Sequence, residues 1–246
     1  MDDGRTIGMG RDVMCQDLMI DGNPLASYGG KSLLDYTVGE TELTNATFQG
    51  INRTNWNNLK SMFGMRSLRL TILFDGVDLH SAKVARSKFN AAVFGKHELY
   101  IPDDGFYYSV SCENLGEEVL VGIGDRNAQV KSEYTFQGIR HDALVSVTVP
   151  PNGYMNCIST MPFTDCRLIL KSTWNATSLR LGDAYFSNVA VNDVLVFDGI
   201  DGKITKNGVN CAGTTTWTAF PSLVAGQNQI RSYLDPVTVE YYPTYI

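Results

Sequence analysis

The chain has 246 residues, of which 43% are hydrophobic, and a formal net charge of −6. This length suits one large β domain or two ordinary domains. Charged residues make up only 19% of the chain, below the roughly 25% of an average soluble domain, and Gly, Asn, Ser and Thr take their place, as in loop-rich β proteins. The acidic balance leaves no basic stripe to hold a phosphate backbone, which excludes sequence-specific nucleic acid binding.

Targeting and membrane signals are not evident. The opening stretch MDDGRTIGMG lacks the basic-then-apolar pattern of a secretion signal. The longest apolar runs, LRLTILF and ALVSVTV, are far too short to span a bilayer. We therefore expect a protein that is made in the cytoplasm and has no membrane partner.

The cysteines are odd in number and widely spaced, with no C-x-x-C motif. They are Cys15, Cys112, Cys157, Cys166 and Cys211. This pattern favours reduced thiols over a disulfide or zinc framework, so we predict that all five are free.

The first half begins with strand and turn signals. The stretch DVMCQDLMI predicts a strand closed by Asp21-Gly22, and Gly29-Gly30 predicts a second turn. Next, NRTNWNNLKSMFG predicts a short helix with Thr54 as its cap and Gly64 as its stop. Trp56, Leu59 and Phe63 would share one face of that helix. In the following stretch, SLRLTILF, apolar residues alternate, which predicts a half-buried strand. The alternating residues are Leu68, Leu70, Ile72 and Phe74.

The clearest helix signal lies at 81–94, SAKVARSKFNAAVF. One stripe of this segment is apolar and the opposite side is basic. The stripe comprises Ala82, Ala85, Phe89, Ala92 and Val93, and the residues expected to face water are Lys83, Arg86 and Lys88. Gly95 would end the helix.

The rest of the first half reads as strands. A hairpin is expected in ELYIPDDGFYYSVSC, around a turn at Pro102–Gly105. The stretches EEVLVGIG, AQVKSEYTFQGI and DALVSVTV predict three more strands. The sequence PPNG at Pro150–Gly153 strongly predicts a turn that interrupts the strands. We therefore expect an N-terminal domain at 1–150 and a C-terminal domain at 151–246.

Seven short strands separated by turn signals predict a β-sandwich in the second half. They are CRLIL, TSLRLG, NDVLVFDG, GKITKNG, TTWTAF, NQIRSY and PVTVEYY. The stretch FDGIDGKITKNG within them allows two interpretations, a metal loop built on Asp198 and Asp201 or a hairpin with tight turns. The spacing is not that of a calcium loop, so the hairpin is favoured.

No pattern typical of catalysis emerges. The three histidines, His80, His97 and His141, are far apart in sequence. The adjacent carboxylates Asp103-Asp104 and Glu117-Glu118 would point to opposite faces of a strand. The stretch GIGDRN begins like a phosphate loop, but no helix follows it. A nucleophilic Cys157 or Cys166 has no histidine nearby in sequence. We predict no catalytic, cofactor-binding or metal-binding residues.

Aromatic residues provide a different candidate. Trp174, Tyr185 and Trp217 fall in the second half, and exposed rings on a β-sandwich can stack on sugars. Core packing is the commoner fate of such residues.

With its elements in this order, the sequence resembles the distal tail proteins of long-tailed, siphovirus-type bacteriophages. In the first half, the strand ending at Asp21-Gly22 is followed by NRTNWNNLKSMFGMRSLRLTILFDG, the amphipathic helix and ELYIPDDGFYYSV. In the second half come VLVFDGIDGKITKNG, FPSLVAGQNQI and VTVEYYPTYI. The resemblance covers essentially the whole chain, without long insertions.

The resemblance implies a mainly β fold. Its N-terminal domain would be a ring-forming split barrel or sandwich with one helix, and its C-terminal domain a galectin-like, carbohydrate-module-like β-sandwich. It also implies a virion protein of the tail tip, a homo-oligomeric ring that is a hexamer or a double hexamer. The implied partners are the tail tube protein, the tape-measure protein and the hub and receptor-binding proteins. The resemblance implies no catalytic residues and no cofactor.

Two further expectations concern ligands. Residues 1–150 contain 14 Lys and Arg against 19 Asp and Glu, a net charge of −5. An acidic channel would let DNA pass without sticking, because carboxylates repel phosphates. The alternative function is a carbohydrate-binding module protein that adheres to a host-cell surface glycan, and weak glycan affinity is compatible with both functions.

Overall fold

The computed structural model describes residues 18–49, 56–124 and 127–246. These residues contain one α-helix, α1 (Leu79–Ala92), and two 3-10 turns, Leu25–Tyr28 and Ala212–Thr214. The strands in chain order are β1 (Met19–Ile20), β2 (Asn23–Pro24), β3 (Ser32–Val38), β4 (Leu43–Gln49), β5 (Trp56–Phe63), β6 (Arg66–Gly76), β7 (Lys96–Ile101), β8 (Phe106–Asn114), β9 (Val119–Gly124), β10 (Asn127–His141), β11 (Val145–Val149), β12 (Tyr154–Cys157), β13 (Thr164–Lys171), β14 (Ala176–Leu181), β15 (Ala184–Val189), β16 (Val194–Asp198), β17 (Lys203–Lys206), β18 (Val209–Asn210), β19 (Thr216–Trp217), β20 (Ser222–Leu223), β21 (Gly226–Gln229) and β22 (Val237–Tyr241). The predicted mainly β fold is confirmed.

Contacts divide the chain into two compact units. Unit 1 comprises Met1–Thr41 and Met65–Gly138, and unit 2 comprises Glu42–Gly64 and Ile139–Ile246. The structure therefore places the division before residue 150. Strand β11 pairs with β22 over five residues, so it belongs to the second unit's sheet. The sequence PPNG that suggested the boundary is a turn inside unit 2, in which the Gly153 N–H donates to Pro150 O at 2.8 Å.

Unit 1 is built on an eight-stranded sheet in the order β2-β1-β7-β8-β10-β6-β3, with β9 also paired to β10. The long strands β6 and β10 run antiparallel from Ala128↔Gly76 to Gly138↔Arg66. Along β6, alternate residues are buried as the sequence predicted, because their side chains share the face that forms the core. These residues are Leu68, Leu70, Ile72 and Phe74.

Two tight turns predicted in unit 1 are confirmed. Strands β1 and β2 are joined by Asp21 and Gly22, which have φ angles of 50° and 75°. Two successive residues with positive φ match the right-handed twist of a two-residue hairpin, and Asp-Gly tolerates that geometry. Strands β7 and β8 form the predicted hairpin, and the Gly105 N–H donates to Ile101 O at 2.9 Å across its turn.

Helix α1 covers one part of the sheet. It starts two residues before the predicted Ser81, because the Asp78 side chain accepts a hydrogen bond from the Ser81 N–H at 2.7 Å and caps the helix. Of the predicted apolar stripe, Ala82, Phe89 and Val93 are buried. Phe94, just beyond the helix, is 90% exposed, so the helical stripe ends before it.

Phe89 anchors α1 to the sheet. Its ring lies 5.6 Å from the Phe74 ring and 4.8 Å from the Tyr134 ring, measured between centroids. The Tyr134 hydroxyl also donates to Asn90 Oδ1 at 2.7 Å. The helix is thus fixed by a three-ring cluster and a hydrogen bond beside it.

We expect Phe89→Ala to lower the free energy of unfolding by about 3–5 kcal/mol, since it removes a fully buried ring and leaves a cavity. Chemical denaturation of the two proteins would measure this difference. Phe94→Ala is the matched control, because the same substitution at an exposed ring should change stability by less than about 1 kcal/mol. Equal losses in the two variants would contradict the anchoring role of Phe89.

Strand β5 lies where the sequence predicted a short helix between Thr54 and Gly64. Residues Trp56–Phe63 pair antiparallel with β4 as a separate two-stranded sheet. Thr54 lies outside the described residues. The prediction was wrong because helical spacing is a local signal, whereas the partner strand supplies backbone hydrogen bonds from elsewhere in the chain. Asn57 and Asn58 are also poor helix formers.

Unit 2 contains two main sheets that share one core. The larger sheet follows the order β11-β22-β13-β16-β17-β18, with β20 paired to β13, and the smaller follows the order β14-β15-β19. Leu168 and Phe197 of the larger sheet and Leu179 and Phe186 of the smaller sheet belong to the same buried cluster. All seven predicted strands overlap observed strands. Strand β15 was not predicted, because its residues do not follow a strict alternation of apolar and polar side chains.

The stretch FDGIDGKITKNG forms the favoured hairpin. Strands β16 and β17 pair from Leu195↔Lys206 to Asp198↔Lys203. The Asp198 side chain accepts from the Ile200 and Asp201 N–H groups at 2.9 and 3.1 Å, which stabilises the connecting turn. Asn207 and Gly208, with φ angles of 51° and 77°, form the next turn.

We expect a fragment of residues 139–246 to be more stable than one of residues 151–246. The shorter fragment loses β11 and with it Val149, which is buried in the unit 2 core. Burial of that side chain alone is worth about 1.5–3 kcal/mol. Urea denaturation of both fragments would measure the difference. Both lack the β4–β5 hairpin, so they are matched in that respect, and equal stability would contradict the placement of β11.

Candidate functional site: exposed surfaces of the two units

The three histidines occupy separate environments. His80 is exposed on α1. His97 Nδ1 lies 2.7 Å from Asp21 Oδ2, and its Nε2 lies 3.2 Å from Phe94 O. His141 is buried, and its Nδ1 donates to Asp142 O at 2.8 Å. The structure does not bring these side chains together, and the contacts of His97 and His141 are structural ones.

In the pair that Asp21 forms with His97, the Asp21 carboxylate also accepts a backbone hydrogen bond. Its Oδ1 accepts from the Glu98 N–H at 2.8 Å. Partial burial would raise the pKa of Asp21, but the hydrogen bonds from the Glu98 N–H and from His97 outweigh it, so the pKa lies below its ordinary value. The charged form of Asp21 therefore stabilises the β1–β2 turn against β7.

We expect the stabilisation by Asp21 to depend on pH. Since the folded-state pKa is depressed, the stabilisation is present above the ordinary value of 3.8 and is lost as the pH falls through the folded-state pKa. Asp21→Asn keeps a residue that tolerates positive φ but removes the charge. Wild type should be more stable than this variant at neutral pH, and the gap should narrow below about pH 4. Thermal unfolding at several pH values measures it, with Asp103→Asn as a turn-surface control. A gap that stays constant with pH would exclude the charged interaction.

The adjacent carboxylates do not converge on a catalytic centre. Asp104 accepts a short hydrogen bond from the Tyr108 hydroxyl. Glu118 forms ion pairs with Lys83 at 3.0 Å and with Arg86 at 3.8 Å. Among the described residues, no three His, Cys, Asp or Glu side chains are arranged to hold a metal ion.

Arg86 does not face water as the helical pattern suggested. It is half-buried, and its Nε donates to Ser132 Oγ at 2.6 Å while its Nη2 donates to Gly116 O at 3.0 Å. Gly116 has a φ of 65°, and a Cβ there would lie 1.7 Å from Glu133 O, so only glycine fits. Arg86 thus connects α1, β10 and the loop that leads into β9. Sequence reasoning missed this contact because its partners lie 46 and 30 residues away.

Strand β9 presents an exposed apolar segment in unit 1. All six of its residues are exposed, although its sequence, VLVGIG, contains no charged side chain. It pairs with β10 through one edge, and no strand among the described residues pairs with its other edge. The stretch GIGDRN, considered as a phosphate loop, runs from the end of β9 towards β10; residues 125 and 126 lie outside the described residues. Unpaired apolar edges of this kind favour contact with another chain.

The carboxylates of the suggested metal loop bind an arginine instead. Arg167 Nε donates to Asp198 Oδ2 at 2.7 Å, and its other nitrogens lie 3.2 Å from Glu240 Oε2 and 3.4 Å from Asp201 Oδ2. The hydrogen bond with Asp198 and the added charge of Glu240 raise the pKa of the guanidinium. This ion-pair network supports the hairpin interpretation, since the cation is supplied by the chain.

The cysteines that lie within the described ranges are free: Cys112, Cys157, Cys166 and Cys211. Cys15 lies outside those ranges. Burial raises the pKa of Cys166 to about 12, so its thiol carries almost no thiolate at neutral pH. Cys157 is buried as well. Neither residue fits the nucleophile considered from the sequence.

The aromatic residues of unit 2 divide into two groups. Trp217 packs on Phe220 and Phe197, with centroid distances of 4.7 and 6.5 Å. Trp174 and Tyr185 instead line an open groove of about 600 Å³ together with Tyr233. Trp217 nevertheless remains 37% exposed, whereas Trp174 packs against the unit 2 core on one side and borders the groove on the other.

The described residues define a mainly β protein of two compact units, whose distinctive features are an apolar strand, an aromatic groove and several ion pairs. Within the described ranges, no helix combines the length and hydrophobicity needed to span a membrane. No protein-family model matched the sequence, and no curated protein was found to be similar.

Among solved structures, the chain is similar to the Dit protein (gp 19.1) of phage SPP1, described as a paradigm of the hub adsorption apparatus in phages that infect Gram-positive bacteria. The match has a TM-score of 0.66 and 12% sequence identity, and it covers 94% of this chain and 99% of the SPP1 chain. A chain of the phage p2 baseplate, in its activated conformation with Sr, matches with a TM-score of 0.47 and 9% identity, covering 91% of this chain and 97% of that one; this lower similarity supports no further conclusion. The SPP1 match confirms, at the level of the fold, the resemblance to distal tail proteins.

Proposed function

We propose that this protein is a structural component of a phage tail tip, a ring-forming adaptor that joins the tail tube to the hub and adsorption apparatus. The observation that carries the proposal is the extent of the fold similarity, which spans 94% of this chain and 99% of the SPP1 Dit chain. Both units take part in that match. The match thus extends over nearly the whole length of both chains.

Unit 1 is proposed to form the ring. Strand β9 offers an apolar surface and a free edge, and contacts in permanent assemblies are rich in apolar residues and poor in charged ones. An edge strand that meets a different surface of the next copy makes a heterologous contact, which closes into a ring when the rotation fits. A hexamer or a double hexamer is the proposed assembly.

Unit 2 is proposed to be the galectin-like module that lies outside the ring contacts. In this proposal the partners are the tail tube, tape-measure and hub or receptor-binding proteins, and the protein resides in the virion. It works by contact with these proteins and not by catalysis. The ion pairs of Arg167 support a rigid module, because they connect β13, β16 and β22.

We expect the full-length protein to form an oligomer of several times 27.1 kDa. Multi-angle light scattering at tens of micromolar would measure its mass. The double substitution Leu120→Glu and Ile123→Glu places charges at two exposed apolar positions of β9 and should reduce the mass to that of a monomer, since buried unpaired charges are costly at an interface. Circular dichroism would check that the variant remains folded.

Val209→Glu provides the control, because Val209 is an exposed apolar residue on β18 in unit 2. This variant should assemble like wild type. A monomeric wild type across salt concentrations would overturn the ring proposal. An oligomer that survives the β9 double substitution would leave the ring but remove β9 from its contacts.

A further inference from the structure

The groove of unit 2 combines aromatic and hydrogen-bonding side chains. Its lining residues are Trp174, Asn175, Ala176, Thr177, Ser178, Arg180, Tyr185 and Tyr233. A volume of about 600 Å³ is within the range of small-molecule clefts. None of the lining residues is a large aliphatic side chain, so an amphipathic helix or an apolar peptide would find little surface to bury there.

Two aromatic pairs define the groove. The rings of Trp174 and Tyr233 lie 5.4 Å apart between centroids, and Tyr233 is nevertheless 61% exposed. The Arg180 guanidinium carbon lies 5.5 Å from the centroid of the Tyr185 ring, which is 43% exposed. Each exposed ring is thus held by a neighbour while much of its surface remains open to solvent, which lowers the entropy cost of binding a ligand.

The strand register fixes the Arg180–Tyr185 pair. Arg180 of β14 lies directly opposite Tyr185 of β15. Arg180 Nε also donates to Gly182 O at 2.8 Å, and its Nη2 donates to Asp183 Oδ1 at 3.2 Å. The arginine charge is therefore paired with a carboxylate of the same hairpin, which also lies 3.6 Å from Arg231, and these contacts hold Arg180 against the Tyr185 ring.

Polar groups also line the groove. Ser178 lies opposite Ser187 in the β14–β15 register, and both residues are exposed. Thr177 is exposed beside it. Asn175 Oδ1 accepts from the Val191 N–H at 3.0 Å, which orients the amide and leaves its NH₂ group to donate. Hydroxyl and amide groups of this kind exchange hydrogen bonds with alcohols.

We propose that this groove binds a neutral saccharide, with a pyranose ring stacked on Tyr185 or Tyr233 and its hydroxyls bonded to Asn175, Thr177 and Ser178. A pyranose presents a C–H face that packs on an aromatic ring and a rim of hydroxyls that are both donors and acceptors. The alternation of rings and polar groups in the groove matches that pattern. Binding requires unit 2 alone, so it does not rest on ring formation.

The test begins with full-length protein on an array of neutral and acidic saccharides, followed by calorimetry with the best neutral ligand. Wild type should bind a neutral saccharide at millimolar or lower concentration. Tyr185→Ala and Tyr233→Ala should each weaken binding about tenfold. Tyr154→Ala is the matched control, because Tyr154 is an exposed tyrosine of unit 2 that does not line the groove, and it should bind like wild type.

The tryptophan indole N–H resonances provide a second readout. Trp174 lines the groove, and its Nε1 is buried without a hydrogen-bond partner among the described residues. Titration with the saccharide should shift the Trp174 indole signal and leave that of Trp217 unchanged. The proposal is overturned if no neutral saccharide binds at millimolar concentration. Preference for acidic saccharides or peptides, or binding that survives both tyrosine substitutions, would also overturn it.

Discussion

The pairing of β6 with β10 is the constraint on which unit 1 depends. In this ladder Leu68 faces Phe136, Leu70 faces Tyr134 and Phe74 faces Val130, and all six side chains are buried. Strand side chains alternate between faces, so a slip of one residue would move this whole set from the core to the opposite face. The register also places Tyr134 and Phe74 where Phe89 of α1 packs, so the position of the helix follows from it.

Arg86 connects the β6–β10 ladder to the loop before the exposed strand β9. Ser132, a buried polar residue of the ladder, lies opposite Ile72 and accepts the Arg86 hydrogen bond. The same guanidinium bonds Gly116 O in the loop before β9. An apolar edge strand with solvent on both faces needs such support, since its own side chains bury little surface. The core register, the helix and the exposed strand are therefore one connected arrangement in unit 1.

Local signals in the sequence were enough to predict much of this fold. The turns at Asp21-Gly22 and Asn207-Gly208 require positive φ, and Asp-Gly and Asn-Gly pairs provide it. Alternation along β6 and the stripe of α1 also depend on near neighbours. The wrong predictions concern elements whose state depends on a partner strand elsewhere in the chain. Strand β5 forms because β4 pairs with it, and β11 belongs to unit 2 because β22 pairs with it. Arg86 and the groove residues depend likewise on which strands adjoin, which a single sequence does not state.

The two candidate surfaces differ in chemistry in a way that suits different kinds of contact. Strand β9 has no charged residue and offers backbone groups along a free edge. Such surfaces favour lasting assembly because apolar side chains leave water and the backbone groups pair with another strand. The groove exposes Tyr185 and Tyr233 among hydroxyl and amide groups that water solvates well. The water-filled groove is therefore only slightly unfavourable in free energy. A ligand there gains only the difference between its own contacts and those of water, which favours weak, reversible binding. Each surface is built from residues of a single unit, so each proposed contact can be tested by substitutions within that unit.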